Sequence, residues 1–159
     1  MQKIKLFVMD VDGTMTDGKI YIGRDGEIMK AFNVKDGQGI ALLQSNGIMP
    51  VILTARKSKI VENRAKELGI TEVHQGSKDK VKVLSYLCEK FNVTTNEIAY
   101  IGDDLGDLLA MKAVGLSFCP ADSVNEILKC ADIKLNHNGG EGAVREAVEY
   151  LLNITINNN

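Results

Sequence analysis

Residues 5–17 read KLFVMDVDGTMTD, and the fold follows from how this stretch is parsed. Leu6-Phe7-Val8-Met9 is an apolar run of the length of a buried strand. Asp10 and Asp12 follow it, with only Val11 between them. Residues two apart on an extended chain face the same side, so the two carboxylates can converge just past the strand's carboxyl end. In open α/β sheets that edge is where ligands bind. Gly13 permits the sharp exit that keeps both carboxylates uncovered.

Working outward, residues 19–32 read as a β-hairpin, with Ile20 and Ile22 alternating and Asp25-Gly26 as the turn signal. Its place in the chain puts it over the Asp10/Asp12 site. It is either a flap that shields the site or touches another subunit, or a plain surface hairpin. Beyond it, strand-like and helix-like segments alternate. Ile40–Leu43 lies in a helix ending at Asn46-Gly47, and Pro50–Thr54 is a buried strand ending on a hydroxyl. Ala55-Arg56-Lys57-Ser58 opens a helix that Gly69 closes, and residues 72–75 form a short strand. A helix entered through residues 76–80 carries Val81, Leu84, Leu87 and Phe91 as its apolar stripe. The strand Ile98–Ile101 ends at Gly102-Asp103-Asp104-Leu105-Gly106-Asp107, a second acidic strand end. Leu108, Leu109, Met111 and Val114 then form a short helix, and residues 115–118 a strand. Asp122 or Ser123 is expected to cap the helix through Ile127 and Leu128. Residues 133–135 give a last strand. Gly139-Gly140-Glu141-Gly142 turns into a final amphipathic helix, and residues 154–159 are expected to be disordered. This alternation predicts a mostly parallel sheet with helices on both faces, in one domain spanning 1–159.

The 159 residues are 45% apolar and 25% charged, with 19 basic against 21 acidic side chains and a net charge of −2. There is no basic footprint for nucleic acid and no apolar run of membrane-spanning length. The chain enters its first strand without a signal-like segment. Cys88, Cys119 and Cys130 are odd in number and lack metal-ligand spacing, which fits reduced thiols in a cytoplasmic protein.

Four places concentrate polar groups at strand ends or helix starts. These are Asp10 and Asp12; Thr54 with Arg56; Lys80; and Asp103 with Asp104 and Asp107. In a parallel sheet all strand carboxyl ends share one edge, so these groups can meet. Carboxylates so placed repel one another unless a cation lies between them. Oxygen donors without histidine or cysteine favour Mg²⁺ over zinc. Thr54, Arg56 and Lys80 are the donors that a phosphate group needs. One carboxylate could attack phosphorus while its neighbour moves protons.

The segment 10–14, with Thr54, Lys80 and the 102–107 cluster in that order, resembles the four motifs of the haloacid dehalogenase superfamily of phosphotransferases. The resemblance implies a Rossmann-like three-layer fold, with Asp10 as nucleophile and Asp12 as acid/base. It also implies Mg²⁺ held by Asp10, the Asp12 main-chain carbonyl and Asp103, and phosphate held by Thr54 and Lys80. Asp104 and Asp107 would play supporting parts, Asp107 by orienting Lys80. The stretches 16–21, 30–37 and 139–146 further resemble the capless 3-deoxy-D-manno-octulosonate 8-phosphate phosphatases and the related nonulosonate 9-phosphate phosphatases. That resemblance implies a small-molecule phosphorylated sugar acid as substrate and a homotetramer whose neighbouring subunit closes each site. Arg56 matches the arginine of the octulosonate branch, although Ala55 replaces the glycine before it. A non-catalytic tetramerisation domain of similar sequence is the remaining alternative; such domains are expected to have lost catalytic residues.

Overall fold

A computed structural model of the chain describes residues 3–157. Its centre is β1 (Leu6–Met9), every residue of which is buried. β4 (Met49–Leu53) pairs with it on one side and β6 (Ile98–Ile101) on the other, both parallel. β5 (Glu72–His74) extends the sheet beyond β4, and β7 (Leu116–Cys119) and β8 (Ile133–Lys134) extend it beyond β6. The strand order is β5-β4-β1-β6-β7-β8. Every pairing in the six-stranded sheet is parallel.

Strand β1 is apolar throughout because it faces protein on both sides. Phe7 and Met9 point into one core, with Ile40 and Leu43 of α1 (Val34–Ser45), Val61 and Ala65 of α2 (Lys59–Glu67), and Val144, Ala147 and Val148 of α6 (Ala143–Asn157). Leu6 and Val8 point into the other, with Leu84 and Leu87 of α3 (Lys80–Phe91), Ala110 and Met111 of α4 (Leu108–Ala113), and Ile127 of α5 (Asn125–Cys130). The period-two alternation of one tetrapeptide thus feeds two cores, giving the three-layer α/β architecture expected from the sequence. Among the described residues no helix is long and apolar enough to cross a membrane.

Three local expectations need correction. The segment from Ala55 to Lys57 is an exposed loop rather than the start of a helix; α2 begins after Ser58, whose extended backbone donates its N–H to Gln75 Oε1 at 2.7 Å. Neither Asp122 nor Ser123 caps α5. Asp122 accepts the Gly139 N–H at 2.9 Å, Ser123 donates to the Pro120 carbonyl, and Val124 occupies the cap position. α6 continues to Asn157, so residues 154–157 are helical where disorder was expected; residues 158–159 lie outside the described segment.

The hairpin forms as β2 (Tyr21–Gly23) and β3 (Gly26–Met29), paired antiparallel. It is a separate two-stranded sheet rather than an extension of the main one.

Candidate active site

The register of β1 with its neighbours builds the site. Met9 lies opposite Ile52 on one side and Ile101 on the other. The chains leaving β1, β4 and β6 therefore emerge side by side, carrying Asp10, Thr54 and Asp103. Asp10 is held in line by its N–H to the Ile101 carbonyl at 3.1 Å. Thr54 is 3% exposed, and its N–H bonds to the His74 carbonyl at 2.9 Å. Ser77 returns from the next loop to donate to the Thr54 carbonyl at 3.2 Å, which fixes the exit of β4.

Lys80 is the first residue of α3, with Asp79 as its N-cap. A cation at a helix N-terminus opposes the helix dipole by about 0.3–1 kcal/mol. Two carboxylates reverse that balance: Lys80 Nζ lies 2.6 Å from Asp10 Oδ1 and 2.6 Å from Asp107 Oδ1. Burial alone would lower the lysine's pKa, but the charges and hydrogen bonds of Asp10 and Asp107 outweigh it and hold the pKa above the usual value.

Asp107 is buried and saturated with donors. Its Oδ1 also accepts the Tyr100 hydroxyl at 2.6 Å, and its Oδ2 accepts the main-chain N–H groups of Asp103 and Asp104 at 3.1 and 3.3 Å. Asp103, by contrast, has among the described residues one side-chain donor, Thr14 Oγ1 at 2.9 Å from Oδ1. Carboxylate oxygens of Asp10, Asp103 and Asp107 lie within 4.8 Å of one another. Burial first, and then the Asp107 charge, push Asp10 up to about 7. Burial and the Asp10 charge push Asp103 up to about 8. Two carboxylates pressed this far toward protonation form a site that a divalent cation would relieve. Asp10 and Asp103 fit as its ligands, because the oxygens of Asp107 are already committed to lysine, tyrosine and backbone.

The loop 10–17 leaves little room for variation. Gly13 has φ +92°, and a Cβ there would sit 2.1 Å from Asp103 Oδ2. Gly139 approaches so closely that its Cβ would lie 1.8 Å from the Gly13 carbonyl oxygen, and Gly140 N–H bonds to the Thr14 carbonyl at 3.0 Å. The Gly-rich turn is therefore packed against the loop that carries the two aspartates.

Asp12 points elsewhere. One of its oxygens pairs with Lys30, at the foot of the hairpin, and the other lies 3.8 Å from Arg56 Nε. Lys30 also pairs with Glu27 at 2.8 Å, and Glu27 accepts the Ser58 hydroxyl.

Residues 69–147 match the haloacid dehalogenase-like hydrolase family. The chain is 44% identical over 151 residues to the 3-deoxy-D-manno-octulosonate 8-phosphate phosphatase KdsC of Escherichia coli K12, covering 95% of this chain and 80% of that protein. The chain belongs to this phosphatase family. Its fold superimposes with a TM-score of 0.91 on the Moraxella catarrhalis member, solved in complex with magnesium ion, phosphate ion and KDO. That protein is 42% identical, with 94% of this chain and 86% of the other covered. The cobalt-bound Haemophilus influenzae phosphatase is 38% identical with a TM-score of 0.92, covering 95% and 88% of the two chains.

Of the residues that the sequence singles out, the structure brings Asp10, Lys80, Asp103 and Asp107 into one cluster, with Asp12 beside them and Thr54 on the adjoining strand end. Arg56 stands at the rim, its side chain 48% exposed. Asp104 faces solvent and caps a 3-10 turn by accepting the Leu105 N–H at 2.7 Å. Sequence reasoning assigned no role to Tyr100, Thr14, Lys30 or Glu27. Tyr100 carried one signal: a tyrosine inside a fully apolar strand needs a partner for its hydroxyl.

Proposed function

We propose that this protein is a Mg²⁺-dependent phosphatase that hydrolyses 3-deoxy-D-manno-octulosonate 8-phosphate to the free sugar acid and phosphate. The observation that carries the reading is the Lys80 ammonium bridging Asp10 and Asp107, with Asp103 alongside, at the strand edge where the family's motifs fall. Asp10 and Asp103 would hold Mg²⁺ with the Asp12 main-chain carbonyl. Bound there, the ion would neutralise the paired carboxylates and draw charge from the phosphoryl oxygens.

The chain's own groups divide the remaining work. Lys80 holds the Asp10 side chain and has a third N–H for a phosphoryl oxygen. Thr54 and Arg56 supply further donors from the neighbouring strand end. An Asp10 carboxylate oxygen bonds to phosphorus as the bond from phosphorus to the sugar oxygen breaks. Asp12 gives its proton to that leaving oxygen. Asp12 then takes a proton from water, whose oxygen bonds to phosphorus as the bond to Asp10 breaks. This releases inorganic phosphate and restores both side chains. Asp107 orients Lys80 through its four accepted hydrogen bonds.

Arg56 at the rim favours the octulosonate over a nonulosonate 9-phosphate as substrate. The assembled cluster argues against a domain that only drives tetramerisation. We further propose that the enzyme is a cytoplasmic homotetramer. Ile22, Ile28 and Met29 on the hairpin are 72%, 63% and 50% exposed, apolar side chains that a second copy of the chain would cover. The direct test is phosphate release from the octulosonate 8-phosphate with Mg²⁺. Asp10→Asn, which keeps the shape and removes the nucleophile, should lose at least about 10³-fold in kcat. Full activity in that variant would exclude the mechanism.

A further inference from the structure

Lys30 has a setting unlike that of any other hairpin residue. Its side chain has no exposed surface, although it lies at the foot of a two-stranded ribbon whose other side chains are largely exposed. Its ammonium makes two ion pairs, one to an Asp12 oxygen and one to Glu27 Oε1 at 2.8 Å. Glu27 in turn accepts the Ser58 hydroxyl, from the residue that caps α2. The hairpin is thereby tied both to the β1 loop and to the loop that carries Arg56.

A fully buried lysine is retained only when its charge is matched, because an unmatched one costs several kcal/mol. Here Glu27 supplies the matching charge, and the ammonium also donates to Oδ1 of the Asp12 carboxyl, which otherwise projects from a loop next to Gly13. Lys30 takes Oδ1; Oδ2 is left on the side where Arg56 Nε stands 3.8 Å away. Oδ2 is thus the Asp12 oxygen that Lys30 leaves free, on the side of the exposed rim where Arg56 stands.

We propose that Lys30 is a positioning residue: it fixes the Asp12 carboxyl from the hairpin so that Oδ2 faces the leaving oxygen. This rests on the phosphatase reading and goes beyond it, because it makes the hairpin part of the proton-transfer apparatus of its own chain. The proton path is unchanged. It leaves Asp12 Oδ2 for the ester oxygen as that oxygen parts from phosphorus, and it is regained from water in the second step.

The inference predicts a dependence on the leaving group. A p-nitrophenolate leaves with little help from an acid, a phenolate needs more, and an alkoxide needs it most. The test measures kcat/KM for p-nitrophenyl, phenyl and ethyl phosphate with the wild-type protein, Lys30→Met, Lys30→Arg and Glu27→Gln, each checked for folding by circular dichroism. Lys30→Met should lose about 10²-fold on ethyl phosphate, the lower range of general-acid contributions, and only a few-fold on p-nitrophenyl phosphate. Glu27→Gln should shift the series in the same direction by less, and Lys30→Arg should recover part of the loss. Equal losses on all three esters in Lys30→Met would mean a merely structural role and overturn the inference alone. An unaltered profile would overturn it as well. A wild-type protein inert on all three esters would overturn the phosphatase reading and this inference together.

Discussion

Asp107 shows how much of the site is decided one residue away from the chemistry. It takes Lys80, Tyr100 and two main-chain N–H groups, so the whole 102–107 turn is wound around its carboxylate. Asp107→Asn keeps the volume but puts an amide where one oxygen accepted, and Lys80 loses one of its two anions. We expect kcat to fall roughly 10–100-fold, the usual cost of removing a supporting partner, as steady-state kinetics would show. Tyr100→Phe should cost about 1 kcal/mol in urea unfolding through the lost hydrogen bond. The metal-free protein should also carry a pH signature. Asp10 and Asp103 sit near 7 and 8, above the carboxylate value of 3.8. Between about pH 4 and 8 the unfolded chain has released protons that the folded one keeps, so these two groups lower stability as pH rises through that window. A cation that pairs with the ionised forms removes the penalty. The rise in melting temperature on adding Mg²⁺ should therefore be larger at pH 8 than at pH 5 by scanning calorimetry. An equal rise at both would contradict this account of the site.

Among the elements, the Gly139–Gly140 turn and the hairpin position the β1 loop from two sides. Gly139→Ala places a methyl group against the Gly13 carbonyl, and neither backbone can yield freely. Overpacking of this kind should cost about 1–3 kcal/mol in denaturant unfolding and displace the aspartates as well, lowering kcat. The elements differ in how openly the sequence declares them. β1, β4 and β6 were legible because a strand buried on both faces is apolar throughout, and the acidic or hydroxylic residue after each marks the site edge. Asp10, Asp103 and Thr54 follow from that edge directly, and Lys80 from the start of α3. The start of α2 was not legible, since what holds this loop comes from β5's exit: the Gln75 side chain on the Ser58 N–H and the Gly76 N–H on the Arg56 carbonyl. Asp104 reads in the sequence as a supporting residue beside Asp103, but the 3-10 turn commits its carboxylate to the Leu105 N–H and leaves it facing solvent. Lys30 gave no sign because its partners, Asp12 and Glu27, are a charge pattern only after the hairpin folds back across the loop.

On the scale of the whole molecule, a sheet edge with no large inserted domain leaves the substrate side lined by the hairpin and by whatever packs on it. The exposed Ile22, Ile28 and Met29 of the hairpin are the residues on which the tetramer proposal stands. Ile28→Asp should shift the mass measured by light scattering toward the monomer, with the secondary structure retained. An unchanged mass would remove Ile28 from the assembly. Covering that surface would also leave the Lys30 link between hairpin and Asp12 intact, because Lys30 is buried within its own chain. The central claim, a magnesium phosphatase for an eight-carbon sugar acid, is tested most directly by kcat/KM with Mg²⁺ on 3-deoxy-D-manno-octulosonate 8-phosphate and on a nonulosonate 9-phosphate. The account predicts the higher value for the octulosonate, and loss of both activities in EDTA and in Asp10→Asn. A higher value for the nine-carbon acid, or turnover that survives EDTA, would contradict it.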